Sequence, residues 1–347
     1  MISKNYEDED IRYNYLTQRT VSIIGVTSRE GQDKDGPEKA PGKIRDAGLL
    51  DVVKSLGWNI NDYGDINDEN IQLEGMENSE GIAILENSQY KYSNLRHAFK
   101  IGAVNKRLSG LAKEVADRRE FLLTLGGDHG IATGSISGLK ASYPNLKVIW
   151  IDAHGDANTP ETSPSGNYHG MPVAHLLGWL GDKTVPGFDW FHPCLKSEDI
   201  VFIGLRDLDG EEKKNLKKHN IKCFTMHEVL KYGIGSVVQM SLEHLNRDDN
   251  LNPVHISFDV DGIDPIYAYG TGTKARGGLS YAAAHFILRE VALSGCLVSL
   301  DLVEINPMLD KIPREQYHGD NKYISNTTET IALGVELVAS ALGHTLL

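Results

Sequence analysis

Several kinds of feature are scarce in this 347-residue chain, and each scarcity excludes something. Cysteine occurs only as Cys194, Cys223 and Cys296, far apart and without the close spacing of a thiolate metal site or a disulfide framework. Three buried, reduced thiols are the expectation. No run approaches the roughly 18 apolar residues that a membrane-spanning helix needs. The segment from Met1 to Arg19 lacks the apolar stretch of a secretory signal and, with Glu7, Asp8, Glu9 and Asp10, is too acidic for a transit peptide. A cytoplasmic location with no membrane partner is therefore expected. Basic residues are also short: 35 Lys and Arg against 48 Asp and Glu leave a formal net charge of -13. Nucleic acid is excluded as an expected partner, because holding phosphates requires basic surface. Internal repeats and low-complexity linkers are missing too.

What remains has the composition of a soluble α/β domain, with 40% hydrophobic and 24% charged residues. Short β-rich runs alternate with helical stretches, which predicts a mostly parallel sheet covered by helices. Strands are expected over 21–25, 121–125, 148–151, 200–203, 222–225, 255–258 and 297–302. Helices are expected over 93–119, 211–219, 235–247, 281–294 and 328–342, with Ser93 and Ser280 as N-caps.

Polar clusters follow five of these runs. They are Gly126-Gly127-Asp128-His129, Asp152-Ala153-His154-Gly155-Asp156, Arg206-Asp207-Leu208-Asp209, Asp259-Val260-Asp261 and Glu304. In a parallel sheet all these strand ends lie on one edge, where α/β folds place their ligands. Asp152, His154 and Asp156 are spaced i, i+2, i+4, as are Asp259 and Asp261 at i, i+2. In an extended segment each set points one way. An isolated Asp-x-Asp is usually a turn or a cap. Four carboxylates on one edge are different, because they repel and raise each other's pKa values unless cations compensate. Two divalent ions would match four carboxylates, and the oxygen-rich set with His129 and His154 suits Mn(II) better than structural zinc. Such a pair of ions can lower the pKa of a shared water towards neutrality.

These residues resemble the ureohydrolase family and, within it, the arginases, over residues from about 20 to 342. The resemblance rests on the three metal motifs Gly126–His129, Asp152–Asp156 and Ser257–Pro265, on Ile44-Arg45-Asp46-Ala47-Gly48, and on Asp62-Tyr63-Gly64-Asp65. It implies a three-layer αβα sandwich of the arginase/deacetylase type, spanning residues 19–347 as a single catalytic domain behind an acidic extension at 1–18. It implies two Mn(2+) per subunit. One would be held by His129, Asp152, Asp156 and Asp259, and the other by Asp152, His154, Asp259 and Asp261, with Asp152, Asp259 and a hydroxide bridging.

The loop Asn158–Gly170 resembles the arginase loop that holds the amino-acid end of the substrate. On that likeness Asn158, Ser165 and Asn167 bind the α-carboxylate, while Asp209 contacts the α-ammonium, with Glu212 one helical turn later as a second candidate. Asp207 is expected to support rather than touch substrate. His169 is implied as the proton shuttle, Glu304 as the carboxylate that grips the guanidinium, and Thr273 as a residue beside it. The activity implied is hydrolysis of L-arginine to L-ornithine and urea by the bridging hydroxide, with His169 and Asp156 assisting protonation of the departing amine. A homotrimer or homohexamer is implied as well. The chain departs from the family at Gly130, where animal arginases usually carry Ser. The alternatives are an agmatinase or another guanidino-substrate hydrolase, and a non-catalytic regulator of the same fold.

Overall fold

In the computed structural model, which describes residues 11–67, 95–181, 185–246, 251–311 and 327–344, every apolar run expected to be a strand is one. The strands are β1 (Thr20–Val26), β2 (Asn59–Ile66), β3 (Phe121–Leu125), β4 (Lys147–Ile151), β5 (Ile200–Leu205), β6 (Lys222–Thr225), β7 (Val254–Asp259) and β8 (Leu297–Val303). They form one eight-stranded sheet in the order β2-β1-β3-β8-β7-β4-β5-β6, and each pairing between them is parallel.

The central strands are buried along their whole length, which explains why they read as apolar runs rather than alternating ones. β2 escaped the sequence reading because it is an edge strand, Asn-Ile-Asn-Asp-Tyr-Gly-Asp-Ile, largely open to solvent. Its acidic residues are held by Arg45, whose guanidinium donates to Asp62 at 2.8 Å and to Asp65 at 2.6 Å.

The helices are α1 (Ala40–Asp46), α2 (Leu49–Ser55), α3 (Ala98–Asp117), α4 (Ala132–Ser142), α5 (Pro172–Leu176), α6 (Gly210–Lys218), α7 (Met226–Tyr232), α8 (Ile234–Leu245), α9 (Tyr281–Leu293) and α10 (Glu329–Ala341). α1, α2, α7, α8, α9 and α10 pack their apolar residues on one face of the sheet, and α3 to α6 pack on the other. The result is a three-layer αβα sandwich. Ser280 caps α9 as expected, its Oγ accepting the Ala283 amide at 3.1 Å. The expected cap Ser93 lies outside the described residues. α1, α2, α4, α5 and α7 were not anticipated. Among the described residues no helix is long and apolar enough to cross a membrane.

Upstream of β1, Ile11 and Tyr13 are buried in the main core. Tyr13 meets Trp58 and Phe121 edge-on and donates its hydroxyl to the Ala341 carbonyl at 2.8 Å. Ile11 and Tyr13 are therefore part of the same packed core as the sheet.

Candidate metal centre and active site

Five adjacent strands, β3-β8-β7-β4-β5, deliver the polar clusters to one edge of the sheet. The first comes from the turn after β3. A Cβ at Gly127 would fall 1.7 Å from the Ser28 carbonyl oxygen, so only glycine lets the chain pass there. Asp128 then fixes the turn. Its Oδ1 accepts the Gly130 amide at 2.9 Å, and its Oδ2 accepts the Gly31 amide at 3.1 Å and the Ser28 hydroxyl at 3.2 Å. His129 is thereby aimed inwards, its ring stacked on Trp150 at a centroid distance of 4.1 Å. Its Nε2 lies 2.8 Å from Ser257 Oγ. The other ring nitrogen, Nδ1, faces three carboxylates: Asp156 Oδ2 at 3.0 Å, Asp152 Oδ2 at 3.1 Å and Asp259 Oδ2 at 3.3 Å.

A second group adjoins the first and shares Asp152. His154 Nδ1 lies 3.1 Å from Asp261 Oδ2 and 3.3 Å from Asp152 Oδ1. Each group, His129–Asp152–Asp156 and Asp152–His154–Asp261, brings its ligand atoms within 4.8 Å of one another. Asp259 approaches the first group through Oδ2, while its Oδ1 accepts the Asp261 amide at 2.7 Å.

The convergence does not come from extended alternation, which was the sequence expectation. Residues after β4 leave the strand, and Asp152 Oδ1 accepts the His154 amide at 2.7 Å, closing a turn. Residues 260–262 form a 3-10 turn that Asp259 caps in the same way. Asp156 has a φ of +47° and Glu304 a φ of +62°, left-handed conformations uncommon for side-chain-bearing residues. Backbone strain of this kind collects where surrounding structure holds a side chain in a required place.

The electrostatics favour a cation. Burial and then the Asp152 charge push Asp156 up to about 7. Asp259 is raised by burial and then by Asp261 and Asp152, and Asp261 by burial and then Asp152. Burial works against a charge on His129, but the surrounding carboxylates lift its pKa well above the ordinary value. Without a cation, this pocket retains protons. His129 Nδ1 and Asp156 Oδ2 are both buried and approach each other without the geometry of a hydrogen bond, so neither has a hydrogen-bond partner within the protein. Buried polar atoms are rarely left so, and atoms so placed fit as ligands of a divalent ion between them.

Around this centre, Glu304 is buried, and its Oε1 accepts the His129 amide at 2.8 Å and lies 3.1 Å from His169 Nδ1. Burial opposes the Glu304 charge, yet the His169 contact and the His129 amide hold its pKa below the ordinary value. His169 is raised to about 9: burial pulls it down, and Glu304, Asp156 and Asp128 outweigh that.

In the loop after Asp156, Asn158 Nδ2 donates to Asp209 Oδ2 at 2.7 Å, and Thr162 donates to Asn158 Oδ1 at 2.8 Å. Asp209 is also the N-cap of α6, its Oδ1 accepting the amides of Glu211 and Glu212 at 2.8 and 2.9 Å. Glu212 is buried and pushed up to about 7 by burial and then by Asp156. Its Oε1 accepts the Ala157 amide at 3.3 Å. Ser165 Oγ accepts the Asn167 amide at 3.2 Å, and Asn167 Nδ2 donates to Asp33 Oδ2 at 3.2 Å. Thr273 donates to Asp261 Oδ2 at 2.6 Å, which makes it a brace for a candidate ligand carboxylate.

Ser257, Trp150 and Arg206 were passed over in the sequence. Trp150 Nε1 donates to Asp152 Oδ2 at 3.1 Å. Arg206 donates to the carbonyls of Asp261 at 2.6 Å, Ala275 at 2.7 Å and Gly262 at 3.0 Å, pinning the turn that carries Asp261. The only signal for Arg206 was its place in a polar cluster after β5. Asp207 lies 3.8 Å from His154 Nε2 and is otherwise exposed.

The model of the Arginase family matches residues 19–343. The chain belongs to the arginase family. It is 42% identical to an arginase of Plasmodium berghei over 98% of this chain and 96% of that protein. To human arginase-1 it is 41% identical, over 92% of this chain and 94% of the human one. The crystal structure of an arginase from Bacillus subtilis superposes with a TM-score of 0.79 at 36% identity, covering 95% of this chain and all of that one. Within an arginase-family framework Gly130 has a local reason. A Cβ there would stand 2.7 Å from Asp128 Oδ1 and 2.9 Å from Tyr168 Cδ1, so the buried Tyr168 ring fills the space that a side chain would need.

Proposed function

We propose that this chain hydrolyses L-arginine to L-ornithine and urea at a centre loaded with two manganese ions. The observation that carries the reading is the pair of candidate ligand groups joined at Asp152, accompanied by the His169–Glu304 and Asn158–Asp209 contacts. When bound, two divalent cations supply the charge compensation and polarisation that make water nucleophilic near neutral pH. The oxygen-rich donor set with two imidazoles supports manganese. His129, Asp152, Asp156 and Asp259 would hold one ion, and Asp152, His154, Asp259 and Asp261 the other.

The chain's own residues do the rest. Glu304 accepts N–H bonds from the planar guanidinium and holds its carbon over the centre, a gain of orientation. Asn158, Ser165 and Asn167 donate to the α-carboxylate, and Asp209, with Glu212 behind it, receives the α-ammonium. As the C–O bond forms and the C–N bond to the side-chain nitrogen breaks, that nitrogen needs a proton. His169, with Nδ1 turned to Glu304, delivers it from Nε2. Asp156, at the same centre, assists the transfer. The family resemblance supports a homotrimer, or a hexamer of two trimers, as the assembled form, and a cytoplasmic location.

The test is urea release from L-arginine and from agmatine, side by side, with added Mn(II) and again after chelation. Agmatine keeps the guanidinium and an ammonium but has no carboxylate, so the donors of the Asn158–Asn167 loop lose their partner. We expect a preference for arginine of at least about 10³-fold in kcat/KM, because unmet polar groups are costly. Equal turnover of agmatine would reassign the substrate, and activity that survives exhaustive chelation would overturn the metal reading.

A further inference from the structure

Behind the metal centre, inside the sheet, lies a polar cluster that the reaction above does not use. Thr124 on β3, Asp301 on β8 and Ser257 on β7 are register partners across three adjacent strands. Two residues upstream, His255 on β7 pairs with Ser299 on β8, and His255 Nδ1 lies 2.8 Å from Ser299 Oγ. Asp301 Oδ2 accepts the hydroxyl of Ser135 on α4 and lies 3.3 Å from His255 Nε2. All six side chains are buried to the point of having no measurable exposure. A charged carboxylate so deep in a core is costly unless its lone pairs are occupied. Yet Asp301 Oδ1 and Thr124 Oγ1 have no hydrogen-bond partner in the protein.

The cluster meets the metal centre at Ser257. His129 can turn Nδ1 towards a cation only as the tautomer that carries its proton on Nε2, and that proton goes to Ser257 Oγ, 2.8 Å away. Ser257 is then the acceptor in that bond, so its own hydroxyl proton must go elsewhere. Of the two side chains beside it in register, Trp150 offers only a donor, whereas Asp301 has a free oxygen that can only accept.

We propose that Asp301 is a positioning residue for the metal ligand His129, acting through Ser257 and one internal water. The water donates to Asp301 Oδ1 and accepts from the hydroxyls of Ser257 and Thr124, a three-bond arrangement usual for buried water. The chain His129–Ser257–water–Asp301 fixes the imidazole tautomer from behind, and the Ser135 hydroxyl holds the carboxylate at its far end. Partners one layer behind a metal ligand commonly set its orientation and basicity in this way.

This inference rests on the metal reading above, and its test separates the two. The apo-protein is titrated with Mn(2+) alone, for the wild type and for Asp301→Asn, Ser257→Ala and the double variant, with thermal unfolding of each apo-protein recorded alongside. Thr124→Val is the milder second variant, should Asp301→Asn not fold. We expect Asp301→Asn to weaken Mn(2+) binding roughly 10- to 100-fold, and Thr124→Val to weaken it by a smaller factor. In a Ser257→Ala background each should cost little more, because the relay is already cut. Additive losses, or unaltered affinity in folded Asp301→Asn or Thr124→Val, would overturn the relay while leaving the metal centre intact. A wild type that binds no Mn(2+) would instead overturn the metal reading.

Discussion

Asp209 is asked to do two things at once, and the structure separates them by oxygen atom. Oδ1 caps α6, and Oδ2 receives Asn158 at the mouth of the site. Replacing Asp209 by alanine removes both. A lost N-cap costs about 1 kcal/mol. Asn158 is itself buried, and leaving its amide donor unmet adds about 1–3 kcal/mol, so the total destabilisation should be about 2–4 kcal/mol, several degrees in Tm. Asp209→Asn keeps a capping oxygen, and asparagine caps about as well as aspartate. It should therefore lower Tm less than alanine does, the Asn158 bond alone being lost, while removing the negative charge offered to the α-ammonium. A charge-assisted hydrogen bond contributes about 1.5–3 kcal/mol, which is roughly a 10- to 100-fold loss of kcat/KM for L-arginine. The assay that isolates this contact uses the arginine analogue with hydrogen in place of the α-ammonium, δ-guanidinovalerate. Asp209→Asn should lower kcat/KM for arginine and leave the analogue within about 3-fold of its wild-type value, since no charge-assisted bond is lost there. An equal drop for both substrates would show that Asp209 only supports the loop and the helix, and the ammonium contact would have to be abandoned.

Other consequences can be measured independently. His169→Asn should reduce kcat by on the order of 10²-fold or more with Mn content intact, the usual scale for a lost general acid; unchanged kcat in a fully loaded variant would remove His169 from the chemistry. His175, buried against Phe188 and Phe191, lies 2.6 Å from the Tyr168 hydroxyl through Nδ1, and burial lowers its pKa to about 3. Above about pH 6.5 it is neutral in both folded and unfolded chains, but between about 6.5 and 3 only the unfolded chain takes up the proton. Stability is therefore lost as pH falls through that window, by up to about 1.4 kcal/mol per unit. His175→Gln should show a shallower fall in Tm between pH 6.5 and 4.5, and slopes identical to the wild type would contradict the buried, neutral imidazole.

Much of this architecture could be read in the chain because buried parallel strands are continuous apolar runs and their ends carry the chemistry. Val148–Ile151 followed by Asp152-Ala153-His154 is legible for that reason. β2 was not, since an edge strand open to water needs no apolar pattern. α4 was missed because Ala132-Thr133-Gly134-Ser135 carries small and polar residues that serve close packing and the buried cluster, not an apolar stripe. At the site, the residue types announced the metal centre, but its geometry depended on what spacing cannot show. Asp152 and Asp259 close turns, Asp156 and Glu304 adopt left-handed backbone, and Thr273 reaches Asp261 from a distant loop. Arg206 and Ser257 lay within quoted motifs, but they act through partners remote in sequence, so nothing local gave their roles.

The strand order also dictates when this centre can exist. β2-β1-β3 and β4-β5-β6 are two blocks built from neighbouring stretches of chain, and they do not touch each other in the sheet. β7 and β8, made last, are the strands that lie between them. His129 belongs to one block, Asp152, His154 and Asp156 to the other, and Asp259 and Asp261 to the inserted pair. A chain emerging from the ribosome can thus hold two half-sheets with most of the ligands already synthesised and still have no place for an ion. Only with β7 and β8 in place is the sheet continuous and are the two candidate ligand groups side by side. A cation captured by the finished centre would stabilise only the closed sheet, so metal loading would favour the completed fold over a chain that lacks β7 and β8.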